Sequence, residues 1–338
     1  MRLLFITSNR IGDAILSTGI LNYLLETYPA CKITIAVGPL AAPLFQEVPN
    51  LERIISFEKQ SYGKHWFRLW GTTLFKKWDR VVDVRGSLLS YFLWTKKRTI
   101  WTAQKDKGGH RAEALAALLE LASVPTPKIW VSANHHQKIK ELMGLSQETE
   151  KREKNEKKGI KKEETLIALG MGANWRGKMW PLESFSRLVK KIKANVDLFP
   201  NCRFLLLGGP DERSLIEPFL KEFQKEEIID LMGKLDLLMV FAALKNTDMF
   251  IGNDSGLMHL AAAAGIPTLG LFGPSRPEHY RPWGERSSYV TTDIPYEKLI
   301  SGPEYDAKTT DTLMASLSVE KVFENVIELR KKFQKEFS

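Results

Sequence analysis

The sequence has few cysteines and no long apolar run. Its two cysteines, Cys31 and Cys202, lie far apart, which excludes a disulfide framework and a cysteine-based metal cluster. No stretch reaches the roughly 18 uncharged apolar residues that a membrane-spanning helix needs. The apolar stretch within residues 1–7 is too short for a signal peptide and reads better as a buried strand. We therefore expect a soluble, cytoplasmic protein.

The 338 residues are 43% apolar and 26% charged, a globular composition at a length that suits two domains. Runs of β-branched residues alternate with segments of helical spacing, which indicates parallel βαβ units. The predicted strands are 3–7, 32–37, 80–84, 165–169, 203–207, 248–251 and 266–272. The predicted helices are 13–28, 111–122, 181–196, 237–244 and 259–264. Two successive α/β halves predict two doubly wound domains that bind ligands at the carboxyl ends of their strands.

The domain limits follow from a change of composition. Residues 147–164 contain one aliphatic residue among many charges and cannot bury enough surface to offset the cost of ordering. We interpret them as an exposed linker between domains 1–146 and 165–317, although a charged helix extension has the same composition. Residues 318–338 have the spacing of an amphipathic C-terminal helix.

Positive charge is concentrated in one segment. Residues 51–111 contain fourteen basic and five acidic side chains, so their excess equals the +9 net charge of the whole chain. The segment is also rich in aromatic residues, among them Trp66, Trp70, Trp94 and Trp101. This combination suits an anionic membrane surface, an acidic substrate or nucleic acid, and a solvated face over ordinary core aromatics is the alternative.

The first candidate motif is Gly12-Asp13, between the first predicted strand and helix. Glycine permits a tight turn, and the position is the one at which such sheets bind ligands. Asp13 is therefore a candidate proton acceptor. A helix N-cap is the alternative, because aspartate is common there.

Two further loops have the character of anion sites. Residues 170–181 are rich in glycine, follow a predicted strand and carry Asn174 and Lys178, but they lack the ending of a P-loop. Residues 252–265 pass from a strand through a polar turn into a helix of small residues. The start of such a helix binds anions readily. His259 is expected one turn into the helix, where histidines are also often structural.

Several of these segments recur together in one known family. Gly12-Asp13, residues 178–181 (Lys-Met-Trp-Pro), 208–212 (Gly-Gly-Pro-Asp-Glu), 254–259 (Asp-Ser-Gly-Leu-Met-His) and 272–275 (Phe-Gly-Pro-Ser) follow one another in this order. In this the sequence resembles glycosyltransferase family 9, the lipopolysaccharide heptosyltransferases. The resemblance implies a GT-B fold, with two Rossmann-like, doubly wound domains facing across a cleft. It also implies that the N-terminal domain binds the acceptor and the C-terminal domain the nucleotide sugar.

The resemblance also assigns roles to individual residues. Asp13 matches the catalytic base, Lys178 a donor-phosphate ligand, and Asn174 a position where the family often has a hydroxyl. Glu212, or its neighbour Asp211, resembles the ribose-binding carboxylate, and Leu235 the residue beside the adenine. The donor loop is then formed by Asp254, Ser255, Gly256, Leu257 and His259. On the acceptor side we select Gly12, Lys96, Lys97 and Arg98.

The activity implied is an inverting transfer of heptose from ADP-heptose to a lipopolysaccharide inner-core acceptor of the Kdo-lipid A type, without a metal or cofactor. We expect a monomer in peripheral contact with the cytoplasmic face of the inner membrane. Two alternatives stay open. One is a family member with another nucleotide sugar or glycan acceptor. The other is a non-catalytic binder of nucleotides or nucleic acid, although no RNA-binding signature is present and we expect no nucleic-acid partner.

Overall fold

The computed structural model describes residues 1–56, 71, 73–102, 108–145, 164–302, 305–306 and 310–334. The predicted linker at 147–164, apart from its last residue, lies outside the described residues. So do 57–70 and 103–107 of the basic segment, which include Trp66 and Trp70. The chain forms two compact units, Met1–Ser132 and Ala133–Ser338.

The described strands of the first unit form one parallel sheet. The strands are β1 (Arg2–Ile6), β2 (Lys32–Val37), β3 (Leu51–Ser56), β4 (Trp78–Asp83) and β5 (Thr95–Ile100), and the helices are α1 (Ile11–Thr27) and α2 (Arg111–Leu118). The strand order is β3-β2-β1-β4-β5. In register, Leu3 of β1 lies opposite Ile33 of β2 and Arg80 of β4.

The central strand β1 is apolar from Leu3 to Ile6, as expected where both faces of a parallel sheet are covered. Its residues 3–6 are fully buried. Leu4 and Ile6 share one face and pack with Leu89 and Leu93. Leu89 belongs to a short 3₁₀ helix, Leu88–Phe92, and Leu93 follows it directly. Helices α1 and α2 pack against each other. One face of the first sheet is thus covered in part by a single turn of 3₁₀ helix.

The second unit contains a larger parallel sheet. Its strands are β6 (Leu166–Gly170), β7 (Arg203–Leu206), β8 (Ile228–Asp230), β9 (Met249–Asn253), β10 (Thr268–Phe272) and β11 (Ser287–Thr291), in the order β11-β10-β9-β6-β7-β8. Its helices are α3 (Ala133–Leu142), α4 (Leu182–Ala194), α5 (Arg213–Leu220), α6 (Leu237–Leu244), α7 (Gly256–Ala263), α8 (Pro277–Tyr280), α9 (Tyr296–Ile300) and α10 (Val319–Gln334).

The C-terminal helix is part of the core of the second unit. As predicted, the segment after residue 318 is helical, and α10 packs on α4 and against β10 and β11. Val322 and Val326 of α10 are fully buried and share one apolar cluster with Phe185 and Ile192 of α4. Burial of a side chain of this size contributes about 1.5–3 kcal/mol, so α10 contributes substantially to the stability of this unit.

Some limits differ from those expected. The units divide between Ser132 and Ala133, earlier than residue 146, because α3 packs on α6 of the second unit. Helix α7 begins at Gly256 rather than 259, since Ser255 has the extended backbone of an N-cap. Strands β3, β5, β8 and β11 were not predicted. Of the helices in the described ranges, none is long and apolar enough to cross a membrane.

Candidate functional site

In each sheet the strand order reverses at one point. The reversal lies between β1 and β4 in the first unit and between β6 and β9 in the second. At such a point the loops that leave the two neighbouring strands diverge, which opens a crevice for ligands at the carboxyl edge of the sheet. The residues that follow β1, β4, β6 and β9 therefore line the expected binding position of each unit.

Asp13 lies at the reversal point of the first unit, in the first turn of α1. The N-cap of α1 is Arg10, and no side chain caps the helix, so the interpretation of Asp13 as an N-cap is wrong. The half-buried Asp13 carboxylate instead accepts a hydrogen bond from the Ser8 hydroxyl at 3.4 Å, and that hydroxyl accepts from the Arg10 amide at 3.2 Å. Gly12 precedes Asp13 in the same turn. The start of α1, after the loop that follows β1, thus carries a carboxylate at the edge where sheets of this kind bind ligands.

Arg85 connects the loop after β4 to the loop that carries Asp13. Its Nη1 donates to Asn9 Oδ1 at 3.2 Å. Gly38, after β2, lies so close that a Cβ there would stand 2.6 Å from the same Asn9 oxygen. Burial lowers the pKa of the Arg85 guanidinium, and the Asp83 carboxylate partly opposes this. Three loops therefore meet at Asn9, in the loop that leads into the helix of Asp13, and one of them brings a partly desolvated cation.

A second arginine lies at the same edge. The Trp101 amide donates to the Asp83 carbonyl at 2.8 Å, and the Arg111 guanidinium stands over the Trp101 ring at 4.1 Å. Arg111 also donates to the Val84 carbonyl at 3.1 Å. Neither Arg85 nor Arg111 was selected from the sequence. The signal was present, because Arg85 directly follows a predicted strand and Arg111 begins a predicted helix.

The basic residues 96–98 lie elsewhere in the first unit. Strand pairing sets Lys97 opposite Arg80, in the amino half of the sheet, whereas Asp13 follows the carboxyl end of β1. The structure thus does not bring Lys96, Lys97 and Arg98 together with Gly12 and Asp13. Their role in acceptor binding stays a prediction.

Two of these three cations have partners in the first unit. Lys96 forms an exposed ion pair with Asp79, with 2.6 Å between Nζ and Oδ1. Arg98 donates to the backbone carbonyls of Ser90 and Leu93 at 2.7 and 2.8 Å. Arg98 therefore braces the 3₁₀ helix, while Lys97 is exposed.

The reversal point of the second unit holds a buried ion pair. Lys178 lies in the loop after β6, and Asp254 follows β9. Lys178 Nζ and Asp254 Oδ2 are 2.5 Å apart, and the two side chains are 18% and 8% exposed. The pair therefore joins the two loops that flank the crevice.

Asn253 fixes the loop that carries Lys178. It is the last residue of β9 and is fully buried. Its Nδ2 donates to the Met171 carbonyl at 2.7 Å, and its Oδ1 accepts from the Trp180 amide at 3.1 Å. One amide side chain thus holds both ends of the loop at 171–180, and with them the position of Lys178. Asn253 was not among the residues selected from the sequence.

Helix α7 starts beside this ion pair. Ser255 is its N-cap but does not cap it with its side chain, and Gly256 and Leu257 form its first turn. The first amides of a helix have no intrahelical acceptor, and together with the helix dipole they form an anion site. His259 lies one turn in and is buried. The structure thus brings Lys178, Asp254 and the start of α7 together, and their role in donor binding stays a prediction.

Glu212 lies at the carboxyl end of β7, over two glycines. Its Oε2 accepts from the Gly209 amide at 2.9 Å. A Cβ on either Gly172 or Gly208 would overlap the carboxylate, so only glycine leaves room for it there. Burial raises the pKa of Glu212, Asp211 adds to the rise, and the bond from Gly209 opposes it.

Leu235 and Asn174 complete the predicted donor set. Leu235 is half-buried in the turn before α6, next to the N-cap Asp236. This turn touches the one that carries Glu212, since a Cβ on Gly233 would stand 2.8 Å from Pro210 Cα. Asn174 is exposed in the loop after β6. The predicted donor residues therefore all lie in loops or helix starts at the carboxyl edge of one sheet.

A later part of the chain closes the outer side of the Lys178 loop. The Thr312 hydroxyl donates to the Met179 carbonyl at 2.5 Å, and the Leu313 amide donates to the Gly177 carbonyl at 3.0 Å. The indole N–H of Trp180 donates to the Leu317 carbonyl at 2.9 Å. The loop is therefore held by Asn253 on one side and by residues 312–317 on the other.

No metal-binding cluster accompanies these groups in the described ranges, where no three His, Cys, Asp or Glu side chains are grouped as metal ligands. The parts present are two doubly wound α/β units, a carboxylate at one reversal point, and a cation with a helix start at the other. Such parts suit an enzyme that transfers a group from a phosphate-bearing donor to an acceptor activated by a base.

Comparisons with known proteins give the family. Residues 66–301 match the model of glycosyltransferase family 9 (heptosyltransferase). The lipooligosaccharide heptosyltransferase 2 of Haemophilus influenzae is 24% identical, over 86% of this chain and 88% of its own length. The chain therefore belongs to glycosyltransferase family 9, and the predicted family and enzyme class are confirmed.

Solved structures give the fold. A family 9 glycosyltransferase from Veillonella parvula superimposes with a TM-score of 0.72 at 20% identity, over 98% of this chain and 97% of that one. The ADP-heptose heptosyltransferase II of Escherichia coli gives 0.70 at 19% identity, over 99% and 100%. At this identity the likeness concerns the fold alone, and it confirms the predicted GT-B class.

Proposed function

We propose that the protein transfers heptose from ADP-heptose to a lipopolysaccharide inner-core acceptor. The observation that carries this is the anion site of the second unit, where Lys178, Asp254 and the start of α7 meet at the reversal point. Family membership supports it, as does the likeness to an Escherichia coli enzyme described as an ADP-heptose lipopolysaccharide heptosyltransferase. The H. influenzae relative is likewise named for lipooligosaccharide.

On the donor side, we assign the diphosphate to Lys178 and the first amides of α7. As the bond between the anomeric carbon and the phosphate oxygen breaks, ADP gains negative charge. A buried cation and oriented amides stabilise such charge well because they need no reorganisation. Glu212 accepts hydrogen bonds from the ribose hydroxyls in this assignment, and Leu235 contacts the adenine. No metal ion is assigned a part in the reaction.

On the acceptor side, we assign the base to Asp13. An acceptor hydroxyl attacks the anomeric carbon from the face opposite the diphosphate, so that the configuration inverts. Its proton passes to the Asp13 carboxylate, which Ser8 orients. Transfer to a positioned base typically accelerates such a step by about 10²–10⁴-fold. Arg85 and Arg111 lie at the same edge, where they suit the anionic groups of an inner-core acceptor.

The test is turnover with a panel of sugar nucleotides. ADP-heptose should be consumed and ADP released when a Kdo-lipid A acceptor is present, whereas UDP-hexoses and GDP-hexoses should not react. Faster turnover of another sugar nucleotide would assign the protein to a different donor within family 9. Binding of ADP without turnover of any donor would contradict a catalytic role.

A further inference from the structure

The first unit exposes a cluster of large apolar side chains within one short segment. Leu88, Tyr91, Phe92 and Trp94 are 77%, 52%, 66% and 67% exposed. Single exposed apolar residues are ordinary on protein surfaces, but a contiguous group of them marks an interaction site. We call these four residues the aromatic patch.

The segment is two-sided. Between the members of the patch, Leu89 and Leu93 are buried against the sheet in the cluster with Leu4 and Ile6. Turning the patch inward would therefore expose these buried leucines. The outward direction of the four patch side chains follows from the packing of the segment that carries them.

The segment is also held firmly by buried polar groups. The carboxylate of Asp83, which is fully buried, accepts from the Ser87 amide at 2.9 Å and from the Ser90 hydroxyl at 2.6 Å. From the other side, Arg98 donates to the carbonyls of Ser90 and Leu93. The patch is thus preorganised, which lowers the entropy cost of binding through it.

The charge around the patch is positive. Lys77 and Lys97 are both exposed. They lie near Trp94 of the patch, because β4 and β5 begin side by side and the Trp78 amide donates to the Trp94 carbonyl. Aromatic side chains flanked by lysines suit the boundary between lipid headgroups and acyl chains, where rings are partly buried and ammonium groups reach anionic headgroups.

We propose that the aromatic patch docks the protein on an anionic lipid bilayer. The choice of a bilayer over another occupant rests on the proposed function, in which the acceptor is a glycolipid. The segment leaves the acceptor edge directly, since Leu88 follows Arg85 by three residues. From there it crosses one face of the sheet to the start of β5, so a membrane bound at the patch extends from the edge that carries Asp13 to the opposite, amino edge. Docking is peripheral and reversible, and the charge contribution is screened within about 8–10 Å at physiological salt.

The experiment measures sedimentation of the full chain with vesicles of phosphatidylcholine alone or mixed with phosphatidylglycerol, at low and high salt. The parent should bind the anionic vesicles more tightly, and less so at high salt. The double variant Phe92→Ser, Trp94→Ser should bind at least tenfold more weakly at either salt concentration. Its control is Val196→Ser, Ile294→Ser, which removes exposed apolar residues of the second unit and should bind like the parent.

Charge is tested separately. Lys77→Gln, Lys97→Gln should weaken binding to anionic vesicles by about fivefold for each lysine and leave phosphatidylcholine binding unchanged. Lys221→Gln, Lys225→Gln, two exposed lysines of the second unit, provide the control. Thermal unfolding shows whether the double patch variant is folded. If it is not, the single variant Phe92→Ser replaces it.

The outcomes separate this inference from the proposed function. With a lipid-free, water-soluble acceptor fragment, the patch variant should turn over ADP-heptose like the parent, because the patch is needed only at a membrane. Unchanged vesicle binding in the patch variants would overturn the inference. The inference would also be overturned if the parent self-associates in sedimentation velocity and the patch variant does not. That result would assign the patch to a second copy of the chain. Failure of the proposed function would appear instead as normal vesicle binding without turnover of ADP-heptose.

Discussion

The Lys178–Asp254 pair permits a quantitative test of the proposed donor site. At 2.5 Å and an effective dielectric constant of about 20, the attraction of two unit charges is about 7 kcal/mol. Desolvation of two largely buried groups offsets most of this, so the pair as a whole contributes little net stability. Removing one partner is different, because it leaves the other charge buried and unpaired at a cost of about 3–5 kcal/mol.

We therefore expect Lys178→Met and Asp254→Asn each to lower the free energy of unfolding by about 3 kcal/mol. This is the lower end of the range, because Lys178 is still 18% exposed. For a unit of this size, that loss lowers Tm by about 6–12 °C. The double variant should lose clearly less than the sum of the two, which double-mutant cycles report as coupling. Calorimetry and urea unfolding measure all four proteins.

Added ADP should affect the two single variants differently. At about 100 times its Kd, ADP should stabilise the parent by about 2.7 kcal/mol. It should rescue Asp254→Asn at least as well, because the diphosphate then becomes the partner of Lys178, and it should rescue Lys178→Met poorly. Additive losses in the double variant, or equal rescue of both single variants by ADP, would refute the reasoning.

Three further predictions concern single residues. Asp13→Asn should keep the ADP affinity of the parent while kcat falls about 10²–10⁴-fold, and a near-native kcat in steady-state assays would contradict the assignment of the base. Burial raises the pKa of Glu212, and in the proposed assignment its ionised carboxylate accepts the ribose hydrogen bonds. Donor affinity should therefore fall as pH drops through this raised pKa. The fall should therefore set in above the usual glutamate range, and Glu212→Gln should show no such step in calorimetric titrations. Gly172→Ala should weaken ADP binding without unfolding the protein, since the new Cβ displaces the Glu212 carboxylate; an unchanged Kd would show that this carboxylate does not bind the donor.

The sequence was most informative about residues that follow a predicted strand. Apolar runs located β1, β6 and β9, and the residues just after them included Asp13, Lys178 and Asp254. Parallel sheets bring such positions to one edge whatever the distance along the chain, which is why each of these residues lies at the carboxyl edge of its sheet. The short edge strands β8 and β11 gave a weaker signal, because strands at an edge need less apolar sequence.

Side-chain partnerships could not be predicted in the same way. Nothing in the composition of residues 51–111 distinguishes Arg85, which joins the loop beside Asp13, from Arg98, which braces a 3₁₀ helix. The register of β5 against β4 makes that difference, and it depends on contacts formed across the fold. The role of Asn253 is similar, since an asparagine at a strand end ordinarily predicts only a turn.

The support of the Lys178 loop by residues 312–317 has a consequence for synthesis of the protein. Chains are made at about 5–20 residues per second, so roughly 7–30 s separate the appearance of Lys178 from that of Leu317. Until then the Trp180 indole lacks the carbonyl to which it donates, and the Gly177 and Met179 carbonyls lack their donors. The first unit, complete by Ser132, has all its residues long before the Lys178 loop can be fixed. During that interval a nascent chain presents a complete first unit beside a second unit whose Lys178 loop is not yet held on both sides.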